Sequence, residues 1–237
     1  MFKKAVAYLT KLKDACFPLQ ERKKLFSVEE DYIEDVEDVF QEYEDRFQKY
    51  METKEMFLEF NEHELKAKVR GKVIAAFAGT GKTTLAAMYP ESFVDFVCMP
   101  YKYYLGPEVG RDEAEAGKAD PNREMRLDWP YNYVLAIIAK AVESEKTLLI
   151  PSDSGVLSLL KEKNVPYTLC YPERNVKEVY RNRFLDRGNS EHFLNVFVGG
   201  WNRFMDRLEQ DDYGIRIMMS PHQFLSDVIA APHGSCE

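Results

Sequence analysis

The sequence predicts an α/β fold, a parallel sheet of five strands covered by helices on both faces and preceded by a helical N-terminal extension. Three observations predict it. From Gly71 onward, short and nearly continuous apolar runs alternate with stretches of helical period, the pattern of strands buried on both sides. The first of those runs, Val73-Ile-Ala-Ala-Phe77, enters a glycine-rich turn, and a Lys-Thr pair then opens a helix. Before residue 69 the chain is acid-rich, and its apolar residues recur three and four apart.

The extension covers residues 1–68. Ala5, Leu9, Leu12 and Cys16 share one face of a first helix that stops near Pro18. Ser27 caps a second run, with Glu30 as its capping-box partner. Val28, Tyr32, Val36, Val39, Phe40, Tyr43, Phe47, Tyr50 and Met51 form its apolar stripe. Ten acids and no base fall between Glu29 and Asp45. A block so charged repels itself, so its stripe is expected to pack on the chain's own α/β domain, on a second subunit or on a basic partner.

The α/β domain, 69–237, reads in order. Lys72 to Phe77 is a strand and Lys82 to Met88 its helix, followed by a strand over Phe93 to Cys98. The polar stretch 106–128 is an insertion or mobile flap. A helix over Asn132 to Ser144 follows the Trp129-Pro130 stop. Then come a strand at Thr147 to Ile150, a helix at Ser154 to Glu162 and a strand at Tyr167 to Cys170. Helices over Val176 to Arg187 and His192 to Leu208 flank a Gly188-Asn189 break. A fifth strand at Ile215 to Met219, a helix near Pro221 to Ile229 and a loose end from Ala230 complete the chain.

Bulk properties narrow the function. A net charge of -8 argues against broad nucleic-acid coating while leaving room for a local basic cleft. Cys16, Cys98, Cys170 and Cys236 are far apart and form no CxxC pair, which fits free thiols in a reducing cytoplasm. His63, His192, His222 and His233 lack metal-ligand spacing. No apolar run approaches the length of a membrane span.

The turn after the first strand carries the functional signal. Gly79, Thr80, Gly81, Lys82, Thr83 and Thr84 have the order of a phosphate loop, although Ala76 replaces the glycine that usually opens the motif. Gly79 and Gly81 can turn amide N–H groups onto phosphate oxygens, and the following helix adds its positive end. Lys82 is expected to reach the β- and γ-phosphates of ATP, and Thr83 to ligate Mg²⁺.

Other residues complete the expectation. Arg174, Lys177, Arg181, Arg183 and Arg187 make a basic run near 173–190, suited to a lid over phosphate oxygens. Asp95 and Asp153 stand at or just past strand ends, where a carboxylate orients Mg²⁺-bound water or holds an acceptor. Asp153 equally suits the cap of the next helix, as do Ser152 and Ser154. Trp129, Asn132 and Tyr133 can line an acceptor pocket by stacking on a base and reading its edge. Tyr101-Lys-Tyr-Tyr104 alternates aromatic and basic residues over too short a span for a nucleic-acid surface.

Residues 71–229 resemble the P-loop nucleoside-monophosphate-kinase-like proteins of phages and prophage-bearing bacteria. The matching pieces are Phe77-Ala-Gly-Thr-Gly-Lys-Thr83, Val94-Asp95, Trp129-Pro-Tyr-Asn-Tyr133, Ile150-Pro-Ser152, Tyr167-Thr-Leu-Cys-Tyr-Pro172, Arg187-Gly-Asn189 and the Trp201 segment. The resemblance implies an adenylate-kinase-like, three-layer P-loop fold, ATP with Mg²⁺, a nucleotide-like acceptor and a lid on Lys177, Arg181, Arg183 and Arg187. Two departures fall on the acceptor side. The family's Asp-x-Asp-Ser becomes Asp95-Phe-Val-Cys98, and its Ser-Ser-His becomes Ser152-Asp-Ser154.

The expected function is ATP-dependent phosphoryl transfer to a nucleoside monophosphate or similar small acceptor. Lys82, Asp153, Arg181, Arg183 and Arg187 are its catalytic groups, Thr83 and Asp153 its metal side, and Asp95, Trp129, Asn132, Tyr133, Arg174 and Lys177 its acceptor side. The alternatives are a nucleic-acid 5′-end kinase and a non-catalytic ATP-binding interaction protein of phage origin, in the host cytoplasm.

Overall fold

A computed structural model describes residues 33–59, 62–104 and 124–229. The first helix around Ala5 to Cys16, the Ser27–Glu30 capping box, most of the 106–128 insertion and the end after Ala230 lie outside the described residues. The chain divides into two compact units, Met1–Lys54 and Glu55–Glu237. The sequence reading sets its boundary later, at 68.

The described part of the first unit belongs to α1 (Ile33–Glu59). Side-chain pairs one turn apart support it: Arg46 with Glu42 at 2.6 Å, Gln41 with Asp45 and Gln48 with Glu52. Phe47, Tyr50 and Met51 of the expected stripe are half-buried, and the Phe47 and Tyr50 rings lie 6.2 Å apart.

The second unit takes in the last residues of α1, continues with α2 (Glu62–Val69) and is organised by five strands: β1 (Val73–Ala76), β2 (Phe93–Asp95), β3 (Thr147–Pro151), β4 (Thr168–Pro172) and β5 (Ile215–Met219). All pair in parallel in the order β2-β3-β1-β4-β5, a Rossmann/P-loop-like architecture in general terms. Helices α3 (Lys82–Met88), α4 (Met99–Lys102), α5 (Tyr131–Glu143), α6 (Ser154–Glu162), α7 (Lys177–Asp186), α8 (Glu191–Phe197), α9 (Trp201–Glu209) and α10 (Leu225–Val228) connect and cover them.

Alternation along β1 divides the core. Val73 and Ala75, continued by Phe77, pack with Tyr133 and Ile137 of α5, Leu160 of α6, Tyr180 of α7 and Trp201 of α9. Ile74 and Ala76 turn the other way, onto Leu85 of α3 and Leu225 of α10. Strand side chains point to opposite faces in turn, so one apolar run serves both layers. Leu148, Leu149 and Ile150 of β3 are fully buried beside it, each stabilising by about 1.5–3 kcal/mol. The chain leaves β1 towards the β2 edge and later crosses it to reach β4. Ligands of such sheets bind in the crevice made by that reversal, beyond the carboxyl ends of the strands.

The structure corrects three details. The second strand ends at Asp95 rather than Cys98, because Cys98 turns into α4, which carries Pro100 in its first turn. The helix expected over His192 to Leu208 is two, α8 and α9, separated at Gly199-Gly200. A Cβ on Gly199 would lie 2.3 Å from the Asn195 carbonyl oxygen, so only glycine passes this step. Residues 124–128 are no flap: Tyr103 and Met125 form an antiparallel bridge, and Asp128 is buried in a bidentate pair with Arg126. No helix among the described residues is long and apolar enough to cross a membrane.

Candidate functional site

The site starts where β1 ends. Phe77 is pinned below the turn by its N–H, which donates to the Cys170 carbonyl at 3.0 Å. Its ring meets Tyr180, Phe197, Trp201 and Phe204 edge-on. Thr80 is fully buried, and its hydroxyl donates back to the Phe77 carbonyl at 2.8 Å. Gly79 and Gly81 take φ of +77° and +94°, the left-handed region that side chains disfavour. A Cβ on Gly79 would also lie 2.7 Å from the Phe184 ring, and one on Gly81 3.3 Å from Phe224.

Lys82 closes the loop from its mouth. Its ammonium donates to the Ala76 and Phe77 carbonyls at 2.9 and 3.0 Å. Burial pushes its pKa from 10.5 down to about 8; the Asp95 carboxylate opposes that shift and the Arg187 guanidinium adds to it. The thiols near it are suppressed. Burial raises Cys170 to about 12 and Cys98 to about 11, both against the attraction of Lys82. Neither is a nucleophile at neutral pH.

The two acids go to different partners. Asp95, the last residue of β2, accepts from the Thr83 hydroxyl at 2.5 Å on the exposed side of the loop. Asp153 caps α6, its Oδ1 accepting from the Gly155 and Val156 N–H groups, while its Oδ2 pairs with Lys102 at 3.0 Å. Thr83 is thus joined to Asp95, and Asp153 to Lys102. Thr84 is exposed on α3. Among the described residues no three His, Cys, Asp or Glu side chains gather as a metal cluster.

The basic run separates into three kinds. Arg183 reaches the loop: its guanidinium donates to the carbonyls of Gly79, Pro221 and Gln223 and lies over the Tyr180 and Phe224 rings. The Leu225 N–H adds a bond to the Thr80 carbonyl at 2.9 Å, so the segment before α10 is tied to the loop twice. Arg181 and Arg187 are exposed on and just after α7, with no ion-pair partner among the described residues, and Lys177 is half-buried at its start. Arg174 turns to α9, where Asp206 and Glu209 hold it at 2.6 and 2.7 Å.

The expected acceptor wall is largely structural. Tyr133 is fully buried, donates its hydroxyl to the Phe96 carbonyl and stacks on Phe96 and Trp129, leaving no surface for a ligand. Asn132 donates its amide to the Tyr101 carbonyl and to Asp128 at 2.8 and 3.0 Å, locking α4 to α5. Trp129 stays half-buried, with the Lys102 ammonium 4.9 Å from its ring centre. Lys102 is the residue that sequence reasoning passed over. Its aromatic neighbours were the available signal, but the turn at Cys98 that aims α4 was not visible.

A cavity of about 230 Å³ lies apart from the loop, between α6 and α9, lined by Ser154, Ser158, Lys161, Phe204 and Arg207 among others. Comparison with protein-family models, curated proteins and solved structures returned no match to this chain.

Proposed function

We propose that the protein transfers the γ-phosphoryl group of ATP to a nucleoside monophosphate or a similar small phosphate acceptor, on an adenylate-kinase-like P-loop fold. One observation carries the reading: two left-handed glycines at the carboxyl end of the central strand frame a lysine whose ammonium rests on loop carbonyls. Those carbonyls are weak partners for a cation pushed down to about pKa 8, and triphosphate oxygens are better ones.

The bond between the γ-phosphorus and the β,γ-bridging oxygen breaks, an acceptor phosphate oxygen bonds to that phosphorus, and ADP leaves with the electron pair. The acceptor oxygen is already ionised, so no strong base is required, and the site offers none. Lys82 holds donor oxygens, and the exposed Arg187, whose charge acts on Lys82, is available to the charge shared during transfer, with Arg181 exposed further back on α7. Thr83 and Asp95 fit Mg²⁺, since two adjacent oxygens at the loop suit an ion that takes its other ligands from phosphates and water. An ion held there by Thr83 and Asp95 would supply positive charge to offset the negative charge of the donor phosphates. This pairing differs from Thr83 with Asp153, because the Asp153 carboxylate is committed to the α6 cap and Lys102.

The test is a screen of nucleoside monophosphates and short 5′-hydroxyl oligonucleotides for ADP release, beside ATP binding, on the wild type and Lys82→Ala. Monophosphate-dependent ADP release that Lys82→Ala abolishes supports the reading. Transfer to oligonucleotides alone would replace it with an end kinase. ATP binding without turnover on any acceptor would leave a nucleotide-binding interaction protein.

A further inference from the structure

The corner formed by Lys102, Trp129 and Asp153 has the chemistry of a second anion site. Lys102 and Asp153 are half-buried, with 21% and 26% of their side chains exposed, so their 3.0 Å contact is less screened than a surface pair. The indole of Trp129 gives the ammonium a further partner at 4.9 Å. The backbone beneath is fixed: the Arg126 N–H donates to the Lys102 carbonyl at 2.9 Å, and Asn132 holds the Tyr101 carbonyl.

The corner also lies beside the loop. Asp153 follows β3 and Cys98 follows β2, both at carboxyl ends of the sheet. β3 pairs on one side with β1, which carries the loop, and on the other with β2, and the charges of Lys82, Lys102 and Asp153 all act on the Cys98 thiol.

We propose that Lys102 binds the phosphate of the acceptor and that Asp153 holds the ammonium in that phosphate's absence. The inference rests on the phosphoryl-transfer reading and names the group that selects its substrate. The exchange is favourable because only one partner changes. When Lys102 turns to a phosphate, Asp153 keeps the Gly155 and Val156 N–H groups on its other oxygen, so no carboxylate is orphaned. The ammonium gives up one carboxylate contact for a dianion and keeps its aromatic neighbour. Lys102 lies just beyond the turn at Cys98 that ends β2, and Asp153 just past the end of β3, so the pair joins the ends of two neighbouring strands.

Calorimetric titration of the full chain with the common ribo- and deoxyribonucleoside 5′-monophosphates, each beside its unphosphorylated nucleoside, tests this without turnover. The wild type prefers a monophosphate over its nucleoside. Lys102→Met weakens that monophosphate about tenfold, with ATP affinity unchanged, and Lys102→Arg recovers part of the loss. Asp153→Asn keeps the cap oxygen but releases the ammonium, so monophosphate affinity rises. A purely structural pair would give both variants losses of the same sign, with thermal stability falling in step, and that result overturns the proposal. So does a wild type that binds no monophosphate. Monophosphate binding with opposite shifts but no ADP release would keep this inference and remove the transferase reading.

Discussion

The glycine loop is shaped by backbone. Its φ angles, its carbonyls and the N–H groups tied to it do the positioning, and its side chains Thr80 and Lys82 bond back to main chain. The corner at Lys102 is shaped by side chains from α4, the segment before α5 and the end of β3, meeting through an ion pair and an aromatic face. The first therefore tolerates almost no change of residue type, whereas the second can be rebuilt by exchanging charges.

The strongest way to break the comparison is Lys82→Ala. Transfer is expected to fall on the order of a thousandfold, with thermal stability held, because the ammonium lost is one that burial disfavours. A large drop in melting temperature would mean that the lysine supports the loop rather than the phosphates.

Gly79→Ala comes next. The left-handed backbone and the approach to Phe184 together cost about 3 kcal/mol, read by denaturant unfolding. Gly188→Ala has φ +70° but open space, and costs about 1 kcal/mol. Equal costs would show that the Phe184 contact yields easily.

Arg183→Met is expected to lower stability by about 2 kcal/mol through its lost carbonyl contacts. Arg187→Met, exposed, should slow transfer with unfolding unchanged. An Arg187 variant that unfolds early would place that side chain in the framework.

The smallest effect is a proton. The folded pKa of Lys82, about 8, lies below its ordinary 10.5, so between those values the unfolded chain binds more protons and stability rises with pH. Bound triphosphate raises the lysine's pKa again. ATP binding near pH 9 is then accompanied by fractional proton uptake, measured by calorimetry in buffers of different ionisation heat. Proton release would contradict the pairing of Lys82 with phosphate.

The sequence made the glycine loop legible because a backbone shape leaves its mark locally: an apolar run, two glycines, a lysine and a threonine stand within one short segment. The inner strands were visible as short continuous apolar runs such as Leu148-Leu149-Ile150, buried on both faces, whereas β5 at the edge keeps Ile215 and Met218 exposed and was marked by its β-branched and apolar residues alone. What escaped depends on distant pairs. Arg174 reads as part of a basic lid until α9 brings Asp206 and Glu209 to it. Tyr133 reads as a pocket wall until its hydroxyl finds the Phe96 carbonyl. Lys102 reads as one base among tyrosines, because nothing near it in the chain announces Asp153. The break between α8 and α9 was written in Gly199-Gly200 and was outweighed by helical spacing on either side.

The tie between the loop and residues 221–225 bears on when the site comes into being during synthesis. Gly79 and Thr80 leave the ribosome long before Arg183, which bonds the Gly79 carbonyl, and Arg183 before the Pro221 and Gln223 carbonyls that it also holds and the Leu225 N–H that bonds the Thr80 carbonyl. A nascent chain that already holds β1, β3 and β4 still has a turn lacking its last supports. The bonding that fixes the turn is thereby completed only after β5 and α10 have emerged, so the glycine loop reaches its final setting late in synthesis.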